Sequence, residues 1–234
     1  MKRFIAFILC LLLCCFCLPT AFAGNVTITN VNEAFALVRD TELIAIYDAT
    51  LYEDGVNGRQ VYYVVCKGLD FSEFDPNEPR SYANAIRIGL SDESNTYVKA
   101  LVSAVTANVP EGADVVFVGH SMGGMVIEQA IANKTIKKKY NVLYSLAIGS
   151  PFILTSSTKE GKLQRIVDKL DPICFLSIPL LANPYMGDVA IESSGLVPLI
   201  HFRSYESGTC WKAYDALGHK NGKARVELNK LIYD

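Results

Sequence analysis

One pentapeptide, Gly119-His120-Ser121-Met122-Gly123, carries the clearest chemical signal in the sequence. It lies between the apolar run Val115–Val118 and a segment whose apolar residues Met125, Val126, Ile127, Ala130 and Ile131 suit the inner face of a helix. A serine presented for nucleophilic attack needs a sharp strand-to-helix turn. The positions two before and two after it then crowd together, and glycine is the residue that fits at both. Such a turn also leaves the amide of Met122 at a helix N-terminus, where it can donate to a developing oxyanion.

A serine hydroxyl becomes a nucleophile only beside a base, and the base needs an acid to orient it. The chain has three histidines. His120 adjoins the serine and is expected to point away from its hydroxyl and pack beneath the turn. Where such triads ride on a parallel sheet, the chain order is serine, acid, histidine, which leaves His201 and His219. His201 lies in the strand-like run Leu199–Arg203. His219 lies in the mostly polar loop Ala216–Gly222, and a loop can hang over a serine more readily than a strand can. His219 is therefore the expected base and His201 the alternative. For the acid, Asp171 precedes a proline just past the run Leu163–Val167, and Pro172 restrains its backbone. Asp168, directly after that run, is the alternative. Asp188 and Glu192 fall in a long connection and are weaker candidates.

The elements that would position these residues follow from periodicity. Asp40–Ala49 reads as a helix. Asn57-Gly58 separates Thr50–Glu53 from Gln60–Cys66 and signals a hairpin. Val61–Val65, Val115–Val118, Val142–Ile148, Leu163–Val167 and Leu199–Tyr205 read as strands. Val98 to Val109 has helical spacing and stops at Pro110, and Met122–Lys139 reads as one helix. Arg225–Ile232 reads as a closing helix. Near-continuous apolar strands alternating with helices imply an α/β fold with a mostly parallel central sheet covered on both faces. Ligands on such sheets sit beyond the carboxyl ends of the strands, and Ser121 follows Val118 by three residues.

The chain has 234 residues, 50% of them hydrophobic and 20% charged, with a formal net charge of −2. These values suit one globular domain. Lys2-Arg3, the apolar run Phe4–Leu18 and the small-residue site Ala21-Phe22-Ala23 describe a secretory signal peptide over residues 1–23, with a retained anchor as the other reading. Residues 24–234 would then form a single domain, secreted or extracytoplasmic after cleavage near Ala23. There is no basic stripe, so nucleic acid is not an expected partner. Cys66, Cys174 and Cys210 lie outside the leader. They are too few for a disulfide scaffold, and either one disulfide or three free thiols would suit them. No Cys/His spacing suggests a metal site.

Four stretches, taken in order, resemble the class 3, fungal-type lipase family of α/β-hydrolases. They are "VYYVVCKGLD", "ADVVFVGHSMGG", "LAIGSP" and "RIVDKLDPI". The resemblance implies an α/β-hydrolase fold with Ser121 as nucleophile, Asp171 as acid and His219 as base. It also implies an oxyanion hole from the amides of Leu69 and Met122. Lys67-Gly68-Leu69 stands where the family has Arg-Gly-Ser/Thr, so a hydroxyl is missing at Leu69 while the amide remains. The expected activity is that of a lipase or carboxylesterase cleaving acylglycerol or other acyl esters through an acyl-enzyme, with no cofactor or metal. The expected partners are an acyl ester or lipid substrate and a transient lipid interface. The apolar run Ile173–Leu181 would line an acyl pocket, form a lid or belong to the core. The competing expectations are a non-catalytic hydrolase-like module binding lipid or protein, and an acyltransferase.

Overall fold

The computed structural model describes residues 26–70, 75, 77–89, 95–155, 157–175, 188–195 and 200–234. The leader over residues 1–23, the part of the apolar run beyond residue 175 and Leu199 lie outside them. Eight strands form one sheet: β1 (Val26–Ile28), β2 (Ile44–Tyr52), β3 (Arg59–Cys66), β4 (Asp114–His120), β5 (Asn141–Ile148), β6 (Lys162–Asp168), β7 (Asp188–Glu192) and β8 (Arg225–Tyr233). Their order is β1-β8-β2-β3-β4-β5-β6-β7. From β3 to β7 every pairing is parallel. The pairings β1/β8, β8/β2 and β2/β3 are antiparallel. The sheet is therefore mixed and mostly parallel, with helices on both faces, as the strand pattern implies.

The helices are α1 (Val31–Asp40), α2 (Tyr82–Gly89), α3 (Thr96–Asn108), α4 (Met122–Ala130), α5 (Lys134–Lys139) and α6 (Ile200–Ser207). One face of the sheet buries Phe35, Val38, Val118, Tyr205 and Trp211 in a common core. The other buries Leu101, Val105, Phe117, Val126 and Ile127. Val118 and Phe117 go to opposite sides, as period-two alternation requires. Thus β4 is sealed on both faces and its carboxyl end is a fixed point.

Four elements differ from the sequence expectation, and the connection holding Asp188 and Glu192 is the strand β7. Asp40–Ala49 is not a helix: α1 ends at Asp40 and β2 begins at Ile44. Ile44 and Ile46 enter one core, and Ala45, Ala49 and Leu51 the other, which is strand alternation. Arg225–Ile232 is the strand β8. Arg, Glu, Leu and Lys favour helix locally. Pairing on both edges, with Val226 and Leu228 alternating into the core, overrides that preference. The late segment around His201 is helical rather than extended. Its buried residues His201, Ser204, Tyr205 and Gly208 fall at helical spacing. The expected helix Met122–Lys139 is two helices, and Asn133 caps the second by accepting from Thr135 N at 2.9 Å. Among the described residues no helix is long and apolar enough to cross a membrane.

Candidate active site

Ser121 stands between β4 and α4 with φ 55° and ψ −124°, a conformation L-residues adopt only under constraint. Its neighbours supply the constraint. A Cβ on Gly119 would lie 2.5 Å from the Gly123 carbonyl, and one on Gly123 would lie 2.2 Å from the Cys66 carbonyl oxygen. The two glycines let the turn close on itself and against β3. Ser121 N donates to Ile148 O at 3.0 Å, which ties the turn to the end of β5.

The imidazole that reaches Ser121 belongs to His201, in the first turn of α6. Its Nε2 is 2.9 Å from Ser121 Oγ, and its Nδ1 is 2.8 Å from Asp171 Oδ2. An ionised carboxylate can only accept, so Nδ1 carries the proton and Nε2 is left to accept from the serine hydroxyl. Asp171 follows β6 in a short turn, and its Oδ1 accepts from Ile173 N at 3.0 Å. Tyr205 donates to Asp171 Oδ2 at 2.9 Å, and Cys174 does so at 3.2 Å. Burial pushes the Asp171 carboxyl up. The bond from His201 and its charge, with the donors Tyr205 and Cys174, outweigh burial and hold it below its ordinary value.

His219, the expected base, is elsewhere, and this corrects the sequence reading. Its ring packs edge-on against Tyr144 at 5.9 Å. Its Nδ1 lies 3.7 Å from Asp215 Oδ1, and its side chain is 43% exposed. Tyr144 precedes Ile148, the elbow's neighbour, by four residues on β5, a span of about 13 Å. The loop argument failed because Asp215 ties down the loop carrying His219. Asp215 Oδ1 accepts from Leu217 N and His219 N, and its Oδ2 accepts from Ala224 N.

Asp168, the alternative acid, is committed to other partners. Its Oδ2 accepts from Ser194 N, Ser194 Oγ and Ser204 Oγ at 2.9, 2.6 and 2.6 Å, and its Oδ1 accepts from Leu170 N at 2.9 Å. Ser204 lies on α6 one turn beyond His201, so Asp168 anchors the helix that carries the imidazole. Glu192, on β7, accepts from Tyr214 Oη and Lys220 Nζ, and Asp188 begins the same strand.

His120 has a structural task that sequence reasoning only half anticipated. It bonds to the His201 backbone, and its ring packs against those of Phe35 and His201. Its Nε2–H donates to the His201 carbonyl at 3.0 Å, and the two rings lie 4.6 Å apart. Burial, with the neighbouring His201 charge, pushes its pKa down to about 3, so it stays a neutral donor. Tyr205, Ser204 and Cys174 were not singled out from the sequence. The signal for the first two was the helical spacing 201, 204, 205, hidden because those residues are not apolar.

The turn after β3 passes over the serine. A Cβ on Gly68 would lie 3.2 Å from Ser121 Cβ. Arg80 pins this turn: its Nε donates to Gly68 O at 2.9 Å and its Nη1 to Glu42 O at 3.0 Å, while its own carbonyl accepts from Asp70 N at 3.0 Å. Leu69 and Met122 therefore flank Ser121, Leu69 from the pinned turn and Met122 from the first residue of α4, whose amide has no carbonyl four residues back within the helix. A cavity of about 60 Å³ opens on Ser121, lined by Phe35, Val38, Lys67, Leu69 and Phe202 among others. A larger cavity of about 430 Å³ adjoins it at Lys67 and Arg80 but contains neither the serine nor the imidazole. Among the described residues Cys66, Cys174 and Cys210 are free thiols.

The family described as PGAP1-like alpha/beta domain matches residues 65–185. That is 185 − 65 + 1 = 121 of the 234 residues, more than half the chain. The chain belongs to that family. The PGAP1-like domain is of α/β-hydrolase type, which agrees with the mostly parallel sheet and supports hydrolase-type activity. The matched stretch contains Ser121 and Asp171 and ends before His201. The likeness to class 3 lipases stays one of motifs. No curated protein matches the PGAP1-like chain.

Proposed function

We propose that this chain is a secreted serine ester hydrolase, a lipase or carboxylesterase, in which Ser121, His201 and Asp171 form the catalytic triad. The observation that carries the reading is the unbroken hydrogen-bond chain from Ser121 Oγ through both nitrogens of His201 to Asp171. Oγ attacks the ester carbonyl while Nε2 takes its proton, and Asp171 stabilises the imidazolium. The oxyanion forms between the amides of Met122 and Leu69. As the C–O bond breaks, the imidazolium returns the proton to the leaving alcohol. Water then attacks the acyl-enzyme by the same route and releases the carboxylic acid.

Two features support an acyl substrate. The cavity at Ser121 pairs apolar walls, Phe35, Val38, Leu69 and Phe202, which suit an acyl group, with the cations Arg39, Lys67 and Arg80. Phe202 is also 39% exposed at its mouth, where it can meet a lipid surface. Secretion rests on the basic, apolar and small-residue order of residues 1–23. A module that only bound lipid would have no need of an imidazole aligned on a strained serine.

The test is hydrolysis of p-nitrophenyl esters, with fluorophosphonate labelling as the second readout. Wild-type protein should hydrolyse the esters and label at Ser121, and Ser121→Ala should do neither. Parental turnover by Ser121→Ala would defeat the reading.

A further inference from the structure

Tyr205 is a fully buried side chain of this network to which the mechanism above assigns no step. It lies four residues after His201 on α6, so both face the same side of the helix. Its hydroxyl is the meeting point of three groups. It is 2.9 Å from Asp171 Oδ2, 3.0 Å from the Asp168 amide and 3.4 Å from Cys174 Sγ. The Asp168 amide can only donate. The phenol therefore accepts from it and directs its single proton onto the Asp171 carboxylate.

We propose that Tyr205 is a positioning residue of the hydrolytic site, whose phenol fixes the orientation of Asp171 and tempers the charge Asp171 presents to His201. The proposal rests on the serine-hydrolase reading and deepens it. Three features favour a role beyond filling space. The ring is fully buried and held by Trp211, His120 and Phe35 at centroid distances of 5.8, 5.8 and 6.0 Å, so the hydroxyl cannot swing away. The hydroxyl and Nδ1 of His201 bond the same carboxylate oxygen, so they compete for its charge. The phenol also links Asp168, which holds α6 through Ser204, to Asp171, which holds the imidazole. Burial foremost keeps the phenol protonated well beyond its ordinary range, so its donor persists at working pH.

Among the described residues, four titratable groups face this pair. His120 approaches from β4, Cys174 from the turn after Asp171, and Asp168 and Arg165 from β6. His120 is held neutral and Cys174 is a buried thiol with its pKa raised by burial first. Removing the phenol hydroxyl therefore acts chiefly on Asp171. With one donor fewer, the carboxylate presents more charge to Nδ1–H and holds the imidazolium more tightly. The base then becomes available only at higher pH.

The experiment compares pH profiles of kcat and kcat/KM for wild type, Tyr205→Phe and a protein with 3-fluorotyrosine placed at position 205. Tyr205→Phe keeps the ring, and kcat should fall about tenfold with little change in KM, the loss of one hydrogen bond to a charged acceptor. Its acid limb should move to higher pH. The fluorinated phenol is a stronger donor of the same shape, and its acid limb should move to lower pH. Tyr140→Phe is the structural control: it removes the bonds of a buried phenol to Val105 O and Val109 O in the core on the other face of the sheet, so it should lower Tm and leave the acid limb in place. Acid limbs unchanged in both position-205 proteins, or an equal shift in Tyr140→Phe, would overturn the positioning role. If wild type neither hydrolyses esters nor labels at Ser121, the hydrolase reading falls and takes this inference with it. Active wild type with unmoved limbs defeats the Tyr205 assignment alone.

Discussion

Replacing His201 and His219 one at a time, each by glutamine, separates the geometry of the site from the loop argument made on sequence. In wild type, Nε2 of His201 is 2.9 Å from Ser121 Oγ and is the proton acceptor there. Asp171 cannot take over, because its oxygen sits 2.8 Å beyond the far nitrogen of the same ring. His120 cannot either, because its Nε2 is spent on the His201 carbonyl. Loss of the base from a serine triad lowers kcat by roughly ten thousand- to a million-fold. His201→Gln should show a loss of that size. Its fold should persist, because Asp171 keeps Tyr205, Cys174 and the Ile173 amide as donors. The change in stability should stay near the 1.5–3 kcal/mol typical of a lost hydrogen bond to a charged group. His219 contributes a side chain 43% exposed, so His219→Gln should cost within about 0.5 kcal/mol and leave turnover unchanged. The assay is p-nitrophenyl butyrate hydrolysis, with active sites counted by fluorophosphonate in the wild type and His219→Gln, and Tm from thermal melts for all three. An inactive His219→Gln beside an active His201→Gln would refute the assignment.

Two further outcomes follow from the same network. Arg80→Ala frees the carbonyl of Gly68 and with it the turn bearing the Leu69 amide. Loss of one oxyanion donor costs about 10²–10³ in kcat; a loosened one should cost less, so a drop of roughly tenfold to a hundredfold with KM little changed is expected, and an unchanged kcat would remove Leu69 from the oxyanion hole. At Asp168, burial pushes the carboxyl up, but the side-chain donors Ser194 and Ser204 and the amides of Leu170 and Ser194 outweigh it, so it stays below its ordinary 3.8. A depressed carboxyl adds stability that is fully present above its unfolded value and is lost as pH falls through the folded one. The Tm should therefore drop steeply below about pH 4, and Asp168→Asn should lower Tm at neutral pH while flattening that acid limb. An acid limb as steep in the variant as in the parent would mean Asp168 does not contribute to it.

Strands β3 to β6 were readable because Val61–Val65, Val115–Val118, Val142–Ile148 and Leu163–Val167 are largely apolar runs, whereas β7, half-buried and short, was read as part of a long connection. The turn at Ser121 was readable because its glycines answer a steric need a few residues wide. Elsewhere, local preference and tertiary demand pulled apart. Five of the nine residues of Arg225–Tyr233 are strong helix formers, and the partners β1 and β2, far away in sequence, make it a strand. Asp40–Ala49 spans a helix end and a strand start, and its period of two was masked by two apolar faces in succession. Around His201 the failure was different. A helix whose buried face is His201, Ser204 and Tyr205 carries no apolar stripe, because it is sunk against hydrogen-bonding groups. A helix that buries polar side chains looks like anything but a helix to a count of apolar residues.

That inversion explains why Asp171 could be picked out from the sequence and the imidazole that meets Ser121 could not. Asp168 and Asp171 are three residues apart at the end of one strand, so both were within reach of a local argument. Their division of labour comes from burial geometry: four donors claim Asp168 and turn it into an anchor for α6, while Asp171 keeps one oxygen turned to the imidazole. Where the His201 imidazole sits depends on how α6 is anchored, and its ties to Asn32 and Asp168 join residues distant in the chain. Asn32 on α1 donates to Tyr205 O at 2.8 Å, Trp211 donates to Ser204 Oγ at 3.2 Å and Ser204 donates to Asp168. A histidine on a helix held from three sides needs no loop to bring it over the serine. The loop of His219 would have had to give up its bonds to Asp215 to bring that ring over the serine. Rigidity on α6 is thus the physical reason to prefer His201.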